Sequence, residues 1–112
     1  MNIKPLLLAL AIGVVPMASD AKDWSKEPLV AVQQAAKQGN ADAQLTLGMM
    51  YSGGIEVAQD DKQAVAWYRK AAEQGDASAQ YNLGWMYSNG RGVAQDDKQA
   101  ATWFRKAAEQ GY

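Results

Sequence analysis

Residues 40–75 read NADAQLTLGMMYSGGIEVAQDDKQAVAWYRKAAEQG, and residues 76–111 read DASAQYNLGWMYSNGRGVAQDDKQAATWFRKAAEQG. Laid over one another without a gap, the two stretches agree at 25 of 36 positions. A fixed period of this length signals stacked supersecondary units, each burying its apolar face on a neighbour. Trp24 to Gly39 has the spacing of a further half unit and ends AAKQG where the others end AAEQG. The expected organisation is therefore a repeat domain over 22–112: a half repeat (24–39) followed by whole repeats at 40–75 and 76–111.

Each repeat carries helical periodicity. Ala64, Trp67, Tyr68, Ala71 and Ala72 fall on one face of a helix. Asp60 stands where an N-cap belongs, with Gln63 as capping-box partner, and Gly75 stands where a C′ glycine closes the helix. Asp96, Gln99 and Gly111 repeat the arrangement. Gly53-Gly54 and Asn89-Gly90 break the other helix of each repeat before a short loop. Five helices are expected, over 27–38, 41–52, 61–74, 77–88 and 97–110. Gly48 and Gly84 read as points of close helix approach, and Trp67 and Trp103 as core residues. Arg69 with Glu73, and Arg105 with Glu109, have the spacing of surface ion pairs.

The frame L-G-x-M-Y-S-x-G, V-A-Q-D-x-K-Q-A, W-[YF]-R-K-A-A-E-Q-G resembles the Sel-one-like repeat (SLR), a tetratricopeptide-like helical hairpin. The likeness spans nearly all of residues 24–112. It implies an all-α fold, a right-handed α/α superhelical solenoid of antiparallel hairpins that acts mainly as a protein-interaction scaffold. One departure stands out. The loop motif G-x-G-V is complete at Gly90-Arg91-Gly92-Val93 but reads Gly54-Ile55-Glu56-Val57 in the first repeat. If that backbone is left-handed, Glu56 costs roughly 1 kcal/mol where Gly92 costs nothing.

Composition narrows the function. Eleven basic and twelve acidic residues leave a net charge of −1; nucleic acid needs a basic face to neutralise its phosphates and is disfavoured as a partner. The chain has no cysteine and no histidine, which removes thiolate chemistry, disulfides and the usual neutral-pH base or metal ligand. Some exported SLR proteins are cysteine-rich and linked to β-lactam binding or hydrolysis. Their resemblance places paired cysteines near Ala36 and Gln44 and near Ala72 and Gln80, and this chain has neither pair. Binding or hydrolysis of β-lactams or cell-wall fragments is the alternative reading. Ser19-Asp20-Ala21-Lys22 matches a Ser-x-x-Lys motif only across an expected cleavage point. Asp60-Asp61 and Asp96-Asp97 read as helix caps and first-turn charge rather than as cation ligands. No cofactor, no metal and no catalytic residue is expected.

The N-terminus reads as an address. Lys4 precedes the apolar run Leu6–Val15, and Ser19 and Ala21 stand three and one positions ahead of Lys22. That order is a secretory signal peptide over 1–21, and the ten-residue run is half the roughly 20 residues needed to span a membrane. The expected product is exported, periplasmic or secreted, without stable membrane insertion after cleavage.

Of the eleven positions at which the repeats differ, five lie on the first helix and its end: Asp42/Ser78, Leu45/Tyr81, Thr46/Asn82, Met49/Trp85 and Gly53/Asn89. At about 100° per residue they project to one contiguous stripe, and every identical position of 41–52 falls outside it. Gln44, Leu47, Gly48 and Tyr51 form the fixed face. Two readings stay open for the stripe: it packs one hairpin on the next, or it lines the concave groove that the resemblance implies. On the second reading Leu45, Met49, Tyr81 and Trp85 are apolar anchors for a protein or peptide partner, with Asp42, Ser78 and Asn89 as polar rim. Self-association, or docking of the partner, is expected at the outward face of helix 97–110.

Overall fold

A computed structural model describes residues 22–112; the expected leader at 1–21 lies outside the described residues. A single 3-10 turn, Trp24–Lys26, precedes five α-helices: α1 (Leu29–Lys37), α2 (Ala41–Gly53), α3 (Asp61–Glu73), α4 (Ala77–Asn89) and α5 (Asp97–Glu109). No strand occurs among the described residues. Each helix packs on its neighbours in sequence, so α2–α3 and α4–α5 are hairpins stacked in a solenoid with α1 ahead of them.

The termini follow from local chemistry. The side chains of Asn40, Asp60, Asp76 and Asp96 each accept an amide of the first turn that follows. This satisfies donors that a bare helix end leaves open. No return bond from Gln63 or Gln99 completes a capping box among the described residues. Gly39, Gly75 and Gly111 take φ of 101°, 98° and 87°. After Gly75, the Asp76 amide reaches Ala71 O at 3.1 Å while the Gly75 amide reaches Ala72 O at 3.0 Å, a Schellman closure. The first helix departs from the expected 27–38. Pro28 is its N-cap with extended backbone, which disfavours helix at Glu27, and Trp24–Lys26 instead forms its own turn capped by Asp23.

Two apolar clusters hold the stack. Val32, Ala36, Ala43, Leu47 and Met50 join α1 to α2, with Trp67 of α3 against them. Ala64, Val65, Tyr68, Ala71, Ala72, Ala79, Leu83 and Met86 join α3 to α4, with Trp103 of α5 against them. The alanines bring helix backbones close, and the two glycines leave room for an aromatic ring of the neighbouring helix. A Cβ on Gly48 would lie 2.6 Å from the Tyr68 ring, and one on Gly84 would lie 2.8 Å from the Phe104 ring.

The positions near which the resemblance places paired cysteines are tied here by hydrogen bonds. Gln44, only 4% exposed, donates to Ala36 O at 3.0 Å and accepts from Gln74 at 2.9 Å. Gln80, 5% exposed, donates to Ala72 O at 3.2 Å and accepts from Gln110 at 2.8 Å. A buried amide satisfied on both sides costs little and fixes register. These two networks sit one repeat apart.

Candidate functional site

The stripe that varies between repeats lies on α2 and α4, and its members meet different surroundings. Met49, Tyr81 and Trp85 are 40%, 43% and 40% exposed. Large apolar side chains at that exposure contribute part of their surface to packing and leave the rest to solvent. Leu45 is half-buried and packs against the second cluster, whose members come from α3 and α4. Its counterpart Tyr81 instead rests on Phe104 and Tyr112, with ring centroids 5.3 and 5.5 Å away. Asp42 and Asn89 are exposed and Ser78 is half-buried. Asn89 donates to Trp85 O at 2.9 Å.

Electrostatics link the two first helices at one end. Burial of the Asp76 carboxyl, and then the neighbouring Asp42 carboxyl, hold Asp76 above the ordinary carboxylate range. In the first repeat the same cap is the neutral Asn40.

At the other end the two loops differ. Arg91 reaches back to the first turn of α3: Nε donates to Asp61 Oδ2 at 2.6 Å and Nη2 to Asp61 Oδ1 at 3.0 Å. Its guanidinium lies 5.7 Å from the centroid of the Trp85 ring. The bidentate pairing holds the Asp61 carboxyl below its usual range. Gly92 (φ 74°) makes this approach possible, because a Cβ there would stand 2.3 Å from Asp61 O. In the first loop Glu56 is left-handed at φ 62° and is exposed, so it bears the strain cost that Gly92 escapes. There Trp24, Ser25, Glu27, Thr46, Met49, Met50, Ile55 and Glu56 border an open cleft of about 260 Å³.

Sequence reasoning treated Gly90-Arg91-Gly92 as a plain hairpin loop and missed the Arg91 staple. The signal was the Ile55/Arg91 exchange, one of the eleven differences and outside the stripe. The expected Arg69–Glu73 pair is replaced by a contact between hairpins. Arg69 Nη2 donates to Tyr87 Oη at 2.8 Å and its guanidinium lies over the Tyr87 ring. A fixed phenol 18 residues away holds the guanidinium better than a solvated carboxylate on the same helix. Arg105 makes no ion pair among the described residues. Trp67 and Trp103 are half-buried on the clusters, with Lys70 and Lys106 ammonium groups each 5.9 Å from their ring centroids. Asp60 and Asp96 cap helices. No group of three or more metal-ligating side chains occurs among the described residues, and none of their helices is long and apolar enough to cross a membrane.

The Sel1 repeat model matches residues 41–76 and 77–112. Among solved structures, a protective antigen of uropathogenic Escherichia coli strains that displays an SLR fold is 49% identical, with a TM-score of 0.71 over 72% of this chain. A Sel1 repeat protein from Oxalobacter formigenes is 44% identical, with a TM-score of 0.74 over 75% of this chain. The cysteine-rich protein B of Helicobacter pylori is 30% identical, with a TM-score of 0.69 over 72% of this chain. The chain spans 17%, 24% and 61% of the lengths of these three proteins. Comparison with curated proteins gives no match. With two matched repeats covering most of its length, the chain belongs to the Sel1 repeat family, whose helical solenoids are generally non-catalytic scaffolds for protein interaction.

Proposed function

We propose that this protein is an exported, non-enzymatic adaptor that takes a protein or peptide partner along the stripe of α2 and α4. The observation that carries the reading is the exposure of Met49, Tyr81 and Trp85, 40–43% each, on equivalent faces of α2 and α4, the first helices of successive hairpins. Aromatic anchors surrounded by polar groups are the usual composition of a binding hot spot. Asp42, Ser78 and Asn89 supply the polar surround, and Leu45 braces the stripe from the packed side. A concave curvature for this surface is what the family resemblance suggests. Export rests on the leader pattern at 1–21, and mass spectrometry of the exported protein should show an N-terminus at Lys22. Nucleic acid is disfavoured by the net charge of −1.

The test is affinity capture from the envelope of the exporting cell, with the Tyr81→Ala, Trp85→Ala double variant as control. The partner should be retained by the wild-type protein and lost by the double variant at a near-unchanged melting temperature. Equal capture by both proteins contradicts the stripe as the binding surface. An intact chromogenic β-lactam in the same preparation separates the adaptor from a β-lactamase.

A further inference from the structure

The cleft bordered by Trp24 and Met49 has a counterpart one repeat later, and the counterpart is filled. Thirty-six residues on, Ser25 corresponds to Asp61, Met49 to Trp85, Ile55 to Arg91 and Glu56 to Gly92. At the second position the chain supplies its own cation: the Arg91 guanidinium stacks on Trp85, 5.7 Å from the ring centroid, and grips Asp61 at 2.6 and 3.0 Å. At the first position the arginine is replaced by Ile55 and the space is open.

The ingredients of a cation seat are nevertheless present there, supplied by different residues. An aromatic residue, Trp24, two acidic residues, Glu27 and Glu56, and three apolar ones, Met49, Met50 and Ile55, line the cleft. Trp24 and Glu27 already hold an ammonium: Lys22 Nζ lies 4.7 Å from the Trp24 centroid and 3.7 Å from Glu27 Oε1. Glu56, exposed and left-handed, makes no ion pair among the described residues.

We propose that this cleft receives an arginine side chain of a partner peptide, in the manner of Arg91 within the chain. The assignment rests on the stripe being the partner surface, since Met49 belongs to both. An arginine stem lies along the methionine and isoleucine side chains while its planar head displaces the Lys22 ammonium from Trp24 and Glu27 and meets Glu56. Arginine fits better than lysine because a guanidinium is more weakly hydrated and stacks on aromatic faces. Methionine walls adapt to a flexible stem at little cost.

The test uses the protein with labelled methionine methyl and indole groups, titrated by NMR with acetyl-Gly-Gly-Arg-Gly-Gly-amide. The citrulline and lysine forms of the same peptide are the comparison probes. The arginine peptide should shift Trp24 and Met49 saturably. Citrulline, and the Glu27→Gln, Glu56→Gln double variant, should each weaken binding by roughly fivefold, the scale of an exposed ion pair. Trp85→Ala should leave this titration unchanged, so the cleft is read independently of the stripe. Equal binding of citrulline, tighter binding of lysine, or shifts centred on Tyr81 and Trp85 overturn the assignment. Partner capture that depends on Tyr81 and Trp85, without an arginine response at Trp24, overturns the cleft alone. An arginine response with capture indifferent to those residues upholds the cleft and overturns the stripe.

Discussion

The two interhelical loops begin alike and end differently. In both, the glycine after the first helix turns left-handed, with φ 67° at Gly54 and 63° at Gly90, and the following cap amide bonds back to Tyr51 O or Tyr87 O. The second loop then closes on the preceding hairpin, with Gly92 against the Asp61 carbonyl and Arg91 on its carboxylate. The first loop faces a 3-10 turn instead of a helical first turn, and there a left-handed glutamate is tolerated and a cleft stays open. The lesson is that a repeat's loop sequence is set by what lies under it. Where backbone lies underneath, only glycine fits; where the underlying helix starts late, side chains become available for other uses.

Transplanting the first loop's residue into the second should break the closure. Gly92→Glu should lower stability by about 2–4 kcal/mol, combining left-handed strain with a Cβ driven into backbone. A denaturant titration measures it, and a cost near that of a surface substitution would contradict the contact. The two close-approach glycines give the next effect. Gly48→Ala should cost about 1–2 kcal/mol, because Tyr68 is buried and cannot swing aside, against a modest gain in helix propensity. Gly84→Ala should cost less, since Phe104 is only half-buried. Reversed order in thermal melts would show that ring burial does not control the clash. The reciprocal loop change, Glu56→Gly, should raise stability by roughly 1 kcal/mol by relieving the left-handed backbone.

The smallest effect concerns the caps. Asp76 is held above the ordinary carboxylate range by burial and by Asp42, so the folded state prefers it protonated. Stability linked to Asp76 is therefore fully present below the unfolded value near 3.9 and is lost as pH rises through the raised folded value. Asp61, held low by Arg91, acts in the opposite sense: its contribution is present above the ordinary range and is lost as pH falls through the folded value. Asp76→Asn, which copies Asn40, keeps the cap and should gain a few tenths of a kcal/mol at pH 7, with the half-exposed charge screened by water. Melts at pH 7 and pH 4 should show the gain only at the higher pH.

Most of the fold was legible because the determinants are local and stated twice. Asn40, Asp60, Asp76 and Asp96 start helices, Gly39, Gly75 and Gly111 end them, and Gly48 and Gly84 mark the approaches. The first helix was expected two residues too early because the half repeat has no second copy against which to read its start. The contacts between hairpins were not legible: Arg91 meets Asp61 across 30 residues and Arg69 meets Tyr87 across 18. Helix spacing offers Arg69 a nearer partner in Glu73 and says nothing about Arg91, which stands in a loop. The stripe was visible as a pattern of difference, but sequence could not separate Leu45, which braces the second cluster, from Tyr81, which lies on Phe104 and Tyr112. Only the stacking of whole hairpins separates them.

The adaptor reading stands on one residue more than any other. Trp85→Ala should be measured on a single preparation by thermal melting and by calorimetric titration with the captured partner. Because 40% of Trp85 is exposed, the account predicts a loss of about 1–3 kcal/mol in binding with a small change in melting temperature. Unchanged affinity with a collapsed melting temperature, the signature of a cavity opened in a core at about 3–5 kcal/mol, would contradict it.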